Sequence, residues 1–155
     1  MARSRRLRVK RGLTMDSGAA NNVMPRRMAR GKGMRIRPSP GSKRGVHYLA
    51  ANNARIKHEG ECDFPFTADD GQEVSFVMQI AEVNKALCAI SYMVDHRYKV
   101  VFDRDEKTGV DLSHMYNKVT GKYLKLRRER NVWVLDATID AELDENKSLD
   151  FARQG

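Results

Sequence analysis

From residue 46 onward the chain alternates apolar and polar positions with the two-residue period of strands that bury one face. The clearest stretch is 74–83, where Val74, Phe76, Met78 and Ile80 share a face. Upstream, Val46, Tyr48 and Ala50 alternate with His47, Leu49 and Ala51, and a strand over 55–66 carries Ile56, Cys62, Phe64 and Phe66 as its apolar members. Between them Asn52-Asn53 offers residues that tolerate the positive φ of a hairpin turn. Turns are predicted at Asp69-Asp70-Gly71, Lys107-Thr108-Gly109 and Thr120-Gly121-Lys122. Residues 87–94 fit a helical turn or a short strand. A strand is expected over 98–102, and a last hairpin should pair 123–126 with 132–135.

The first 45 residues follow another pattern. Leu7 and Val9, then Leu13 to Met15, predict a strand pair or one bulged strand that bends at Gly12 and ends at Asp16. Val23-Met24-Pro25 should be extended, because the residue before proline avoids the helical region. Residues 26–45 mix Arg, Lys, Gly, Pro and Ser with sparse apolar side chains, which predicts a mobile basic loop. The whole reads as a mostly-β domain, a small closed or partly open barrel spanning 1–136 with its basic N-terminal arm, followed by a polar tail over 137–155 whose residues 141–155 are frayed or helical.

Length and composition narrow the class. The 155 residues suit one domain. No apolar run approaches the roughly 18 residues of a membrane-spanning helix, so no membrane partner is expected. The basic N-terminus leads into no apolar stretch of a secretory signal, and Cys62 and Cys88 are too few for a disulfide scaffold. An intracellular site, cytoplasmic or nuclear, is expected; an Arg-rich mitochondrial presequence fits less well because its apolar stripe is thin. His47, His58, His96 and His114 show no paired spacing with the cysteines, so neither a metal nor another cofactor is expected. Ser17 lies in no nucleophile-elbow pattern, and no glycine-rich phosphate loop is present.

Charge is unevenly spread. Residues 1–45 hold 14 Lys and Arg against one acid, and the remainder 15 against 19. A basic arm of this kind can contact nucleic acid through phosphates, though without aromatics it offers no stacking platform for bases. The lone acid is Asp16, set among small residues in Asp16-Ser17-Gly18-Ala19-Ala20.

An apolar strand leading into Asp16-Ser17-Gly18-Ala19, with Val23 and Pro25 beyond, resembles the active-site turn of retropepsin-like aspartic proteases, the proteases of retroviral and copia-type retrotransposon polyproteins. Residues 44–52 look like that family's flap, and Val83 to Leu87 with Val100 to Asp103, Thr120-Gly121 and Val132 to Leu135 are similar to its later strands. The resemblance covers about residues 6–136 and implies a retropepsin-type barrel with a flap hairpin. It also implies an endopeptidase in which Asp16 from each of two chains holds one water. In that arrangement the Ser17 hydroxyl would bond across the interface, Gly18 would admit close backbone approach, and Ala19 would leave room for substrate. A polypeptide substrate would lie extended under Tyr48, Ala50, Ala51, Asn52 and Asn53. The sequence departs from the family where Asn52-Asn53 replaces a glycine-rich flap tip and where no glycine accompanies Leu87-Cys88-Ala89. A second expectation therefore stands beside the first: an inactive retroelement-derived β domain that binds nucleic acid or an acidic partner through residues 1–45.

Overall fold

Two long strands, β5 (Arg55–Thr67) and β6 (Glu73–Ala81), form the antiparallel ladder around which the protein is built. In the computed structural model, which describes residues 4–45, 47–49, 55–142 and 150–153, they are joined by the turn at Asp69-Asp70-Gly71. The alternation in their sequence does what it predicts. Cys62, Phe64 and Phe66 on one strand and Phe76, Met78 and Ile80 on the other are all buried, and Phe66 meets Phe76 edge-on with ring centroids 5.3 Å apart.

In chain order the other elements are β1 (Ser4–Val9), β2 (Leu13–Asp16), β3 (Val23–Met24), a 3-10 turn at Arg26–Met28, the one-turn helix α1 (Pro40–Lys43) and β4 (His47–Leu49). After β6 come β7 (Leu87–Ala89), α2 (Ile90–Asp95), β8 (Tyr98–Val101), β9 (His114–Asn117) and β10 (Tyr123–Lys125). The chain closes with β11 (Arg127–Glu129), β12 (Val132–Leu135), β13 (Thr138–Glu142) and β14 (Phe151–Arg153). Ten strands run in the order β11-β12-β2-β7-β3-β6-β5-β13-β1-β14 and curl into a half-barrel, with β4 added to β5. A separate sheet has the order β10-β9-β8. The fold is thus mostly β, and among the described residues no helix is long and apolar enough to cross a membrane.

Several expectations change. β1 and β2 flank the bend at Gly12 but do not pair with each other; β1 joins β13 and β14, whereas β2 joins β12 and β7. The described residues of the expected polar tail, 137–142 and 150–153, are part of the sheet: Ala137, Ile139, Ala141 and Phe151 are buried, and β13 and β14 enclose β1. The last hairpin is also different. Leu126 is fully buried and its N–H donates to the Ser113 carbonyl at 3.0 Å, and there the chain changes sheets. β10 consequently pairs with β9, and β12 pairs with β11. Asp111 fastens this crossing, accepting the Trp133 indole N–H at 3.2 Å and the Arg128 backbone N–H at 3.1 Å.

The loop 26–45 is packed rather than mobile. Met28 and Met34 are buried, and Arg37 forms a two-way backbone bridge with Glu61, 2.9 Å in each direction. Its guanidinium also reaches Glu61 and Asp63. This contact explains Gly60, whose φ is +141° and where a Cβ would lie 2.6 Å from the Arg37 carbonyl oxygen.

Both thiols are free and fully buried, and burial pushes the Cys88 thiol up to about 12 and raises that of Cys62. Native protein at mildly alkaline pH should therefore leave both thiols unreacted with a chromogenic disulfide reagent, while denatured protein releases two equivalents of product. Rapid reaction of the native protein would contradict this burial.

Candidate active site

β2 is a buried strand that delivers one carboxylate to a turn. Leu13, Thr14 and Met15 are buried, while Asp16 is half-buried at its end. One edge of β2 pairs antiparallel with β12, Leu13 opposite Leu135 and Thr14 opposite Val134. The other edge pairs parallel with β7, placing Thr14 beside Leu87, Met15 beside Cys88 and Asp16 beside Ala89. After Asp16 the chain turns and returns as β3, which joins the far edge of β7 with Val23 opposite Leu87. β7 therefore runs between the two arms of the Asp16 turn. Its Cys88 and Ala89 are small and fully buried, so the strands on both sides can close around it.

The turn has its own hydrogen bond. The Gly18 N–H donates to Asp16 Oδ1 at 2.8 Å, and a Cβ on Gly18 would lie only 3.3 Å from that oxygen. Such a bond closes many aspartate turns; here it closes one anchored at both ends. Ser17 and Gly18 are exposed at the apex, and Ala19 is half-buried. The turn's return end is held by Asn22, 1% exposed. Its Oδ1 accepts the Ala89 N–H at 2.7 Å, its Nδ2 donates to the Val77 carbonyl at 3.3 Å, and its own carbonyl accepts the Gln79 N–H at 2.8 Å. Ala89, the register partner of Asp16, is thereby held from both sides. Sequence reasoning missed Asn22, because an amide beside Asn21 in a turn looks like loop chemistry until the Ala89 N–H of β7 is seen to need an acceptor there and the Val77 carbonyl of β6 a donor.

Of the segment expected to form a flap, two strands are described. β4 pairs antiparallel with the start of β5, His47 opposite Lys57, Tyr48 opposite Ile56 and Leu49 opposite Arg55. Ala50, Ala51, Asn52 and Asn53 lie outside the described residues. The root of this arm is well defined. The β5–β6 register shifts between His58 and Gly60, and buried His58 brings Nε2 within 3.0 Å of Ser39 Oγ and 2.7 Å of Gln79 Oε1.

Other chemistry is scarce. Among the described residues no three His, Cys, Asp or Glu side chains gather as a metal site. A cleft of about 770 Å³ lies between the two sheets, lined in part by Asp69, Val110, Leu112, Tyr123, Lys125 and Asp136. It borders Leu135, which pairs with Leu13 at the end of β2 remote from Asp16, and Asp69 and Asp136 are engaged by Arg8.

Comparisons with protein families, curated proteins and solved structures find no match.

Asn22→Ala would leave the Ala89 N–H and the Val77 carbonyl buried without that partner. It should lower stability by about 1–3 kcal/mol in urea unfolding. A change within about 0.5 kcal/mol, the range of ordinary surface substitutions, would remove Asn22 as the fastening of the turn.

Proposed function

We propose that this chain is one protomer of a homodimeric aspartic endopeptidase of the retroelement type, with Asp16 of each copy forming the catalytic dyad. The observation that carries the reading is the seating of the Asp16 turn, whose two arms enclose β7 and present Asp-Ser-Gly at an exposed apex. A carboxylate on a rigid, doubly flanked strand end keeps its position when a second charge approaches. That is what a shared-proton pair requires. The chain has one Asp-Ser-Gly sequence, so the second carboxylate has to come from a second copy related by a twofold axis.

The chemistry then follows from two carboxyl groups sharing one proton. The ionised Asp16 takes a proton from the bound water as that water attacks the scissile carbonyl carbon. The protonated Asp16 of the other copy hydrogen-bonds the carbonyl oxygen and gives it the proton as the tetrahedral intermediate forms. Collapse of the intermediate breaks the C–N bond, with a proton passing to the leaving amine. Ser17, next to the dyad, bonds across the twofold axis. The β4–β5 arm lies over an extended substrate and pairs with its backbone, so apolar side-chain pockets set a broad specificity.

Purified protein should cleave an unstructured peptide library, fastest at mildly acidic pH where the pair holds one proton. Asp16→Asn should lower the rate by about 10²–10⁴-fold or more. Mass spectrometry of the products reads the result. Equal cleavage by both proteins, or none by the unaltered protein from acid to neutral pH, would overturn the assignment.

A further inference from the structure

The packed loop 26–45 and the root of the β4–β5 arm enclose a second concavity, about 280 Å³, lined by Arg26, Ser42, Lys43, Lys57, His58 and Glu59. Three cations face one carboxylate there. Glu59 is taken by Arg26, Nε to Oε1 at 3.2 Å. Lys43, at the end of α1, and Lys57, on β5, are exposed, and among the described residues neither forms an ion pair. Like charges drawn together from separate elements repel, and an anion placed between them relieves that repulsion.

The backbone segments that carry the two lysines are held in place rather than left as a free arm. Ser39 and Ser42 cap α1 reciprocally, Ser39 Oγ accepting the Ser42 N–H at 3.1 Å and the Ser39 N–H donating to Ser42 Oγ at 2.9 Å. Ser39 Oγ also meets His58, and Arg37 bridges to Glu61 by backbone bonds. This latch fixes the segment bearing Lys43 against the strand bearing Lys57, so the backbone needs no further ordering on binding and only the lysine side chains lose freedom.

We propose that this pocket binds a phosphate group, with Lys43, Lys57 and Arg26 as the charged contacts. The ligand class is a phosphate anion or a phosphodiester of a nucleic-acid backbone, which present the same oxygens to the same cations. The inference does not depend on the Asp16 chemistry. Phosphate contacts carry no base information, so binding to a nucleic-acid strand is indifferent to sequence and sensitive to salt.

Two probes separate the sources. Inorganic phosphate is titrated by calorimetry, and a fluorescent single-stranded oligonucleotide by anisotropy at several salt concentrations. Binding of phosphate alone identifies a small-anion site, and binding of the oligonucleotide identifies a backbone site. In either case Lys43→Gln/Lys57→Gln should weaken binding roughly tenfold, and for the oligonucleotide it should reduce the slope of log affinity against log salt by about 1.4. Lys99→Gln/Lys107→Gln, exposed positions elsewhere, should leave binding unchanged, with thermal melts checking that both variants fold. Failure of both probes to bind, or equal losses in the two double variants, would overturn the site.

Discussion

A three-residue strand, β7, has no solvent to satisfy its backbone, so both of its edges have to be covered. It is covered by β2 on one side and β3 on the other, and these are the arms of a single turn whose first residue is Asp16. The hydrogen bonding of β7 therefore dictates where the carboxylate stands. The Asn22 side chain completes the arrangement by taking the Ala89 N–H, a donor the strands leave over. α2 begins directly after Ala89, and its Tyr92 hydroxyl accepts the Val77 N–H at 3.3 Å, tying the helix to β6 as well. Core, turn and helix are thus fixed by the same few backbone groups.

The uneven charge of the chain fits this picture without a free arm. Arg8 pairs with Asp69 and Asp136, Arg26 with Glu59, Arg27 with Asp150, and Arg37 with Glu61 and Asp63. Each joins the basic first segment to the acidic remainder. Partly exposed pairs contribute only about 0–1 kcal/mol each, so the larger share of the attachment comes from burying Leu7, Val9, Leu13, Met15, Met24 and Met28. The ion pairs choose the neighbour; the apolar side chains hold it. Lys43 and Lys57 stand outside these pairs and line one pocket together.

Strands with clean alternation were legible from the sequence. β5 and β6, the turn at 69–71 and the mixed character of 87–94 follow from side-chain period and turn chemistry, and residues 87–95 hold both a strand and a helix. Strand order was not legible, because antiparallel partners far apart in sequence leave no local mark. β13 and β14 looked like a tail since Ile139, Ala141 and Phe151 are isolated apolar residues in a polar run, yet alternate apolar positions suffice to bury one face of β13 between β5 and β1, and β14 at the sheet end needs only Phe151. Loop 26–45 looked mobile because its attachment uses two methionines and a backbone bridge at Arg37, and main-chain bonds have no sequence signature. Asp16 itself stood out as the lone acid among basic residues, whereas Asn22 could not be recognised before β7 was placed.

The central claim is that one catalytic centre needs two copies of Asp16. Its most direct test is to mix unaltered protein with the Asp16→Asn protein, let the subunits exchange, and measure cleavage per unaltered chain. With equal amounts, statistical pairing predicts that this activity falls to about half, since a mixed dimer holds only one carboxylate. Activity that stays constant per unaltered chain at every mixing ratio would mean that each chain acts alone, and would contradict the shared dyad.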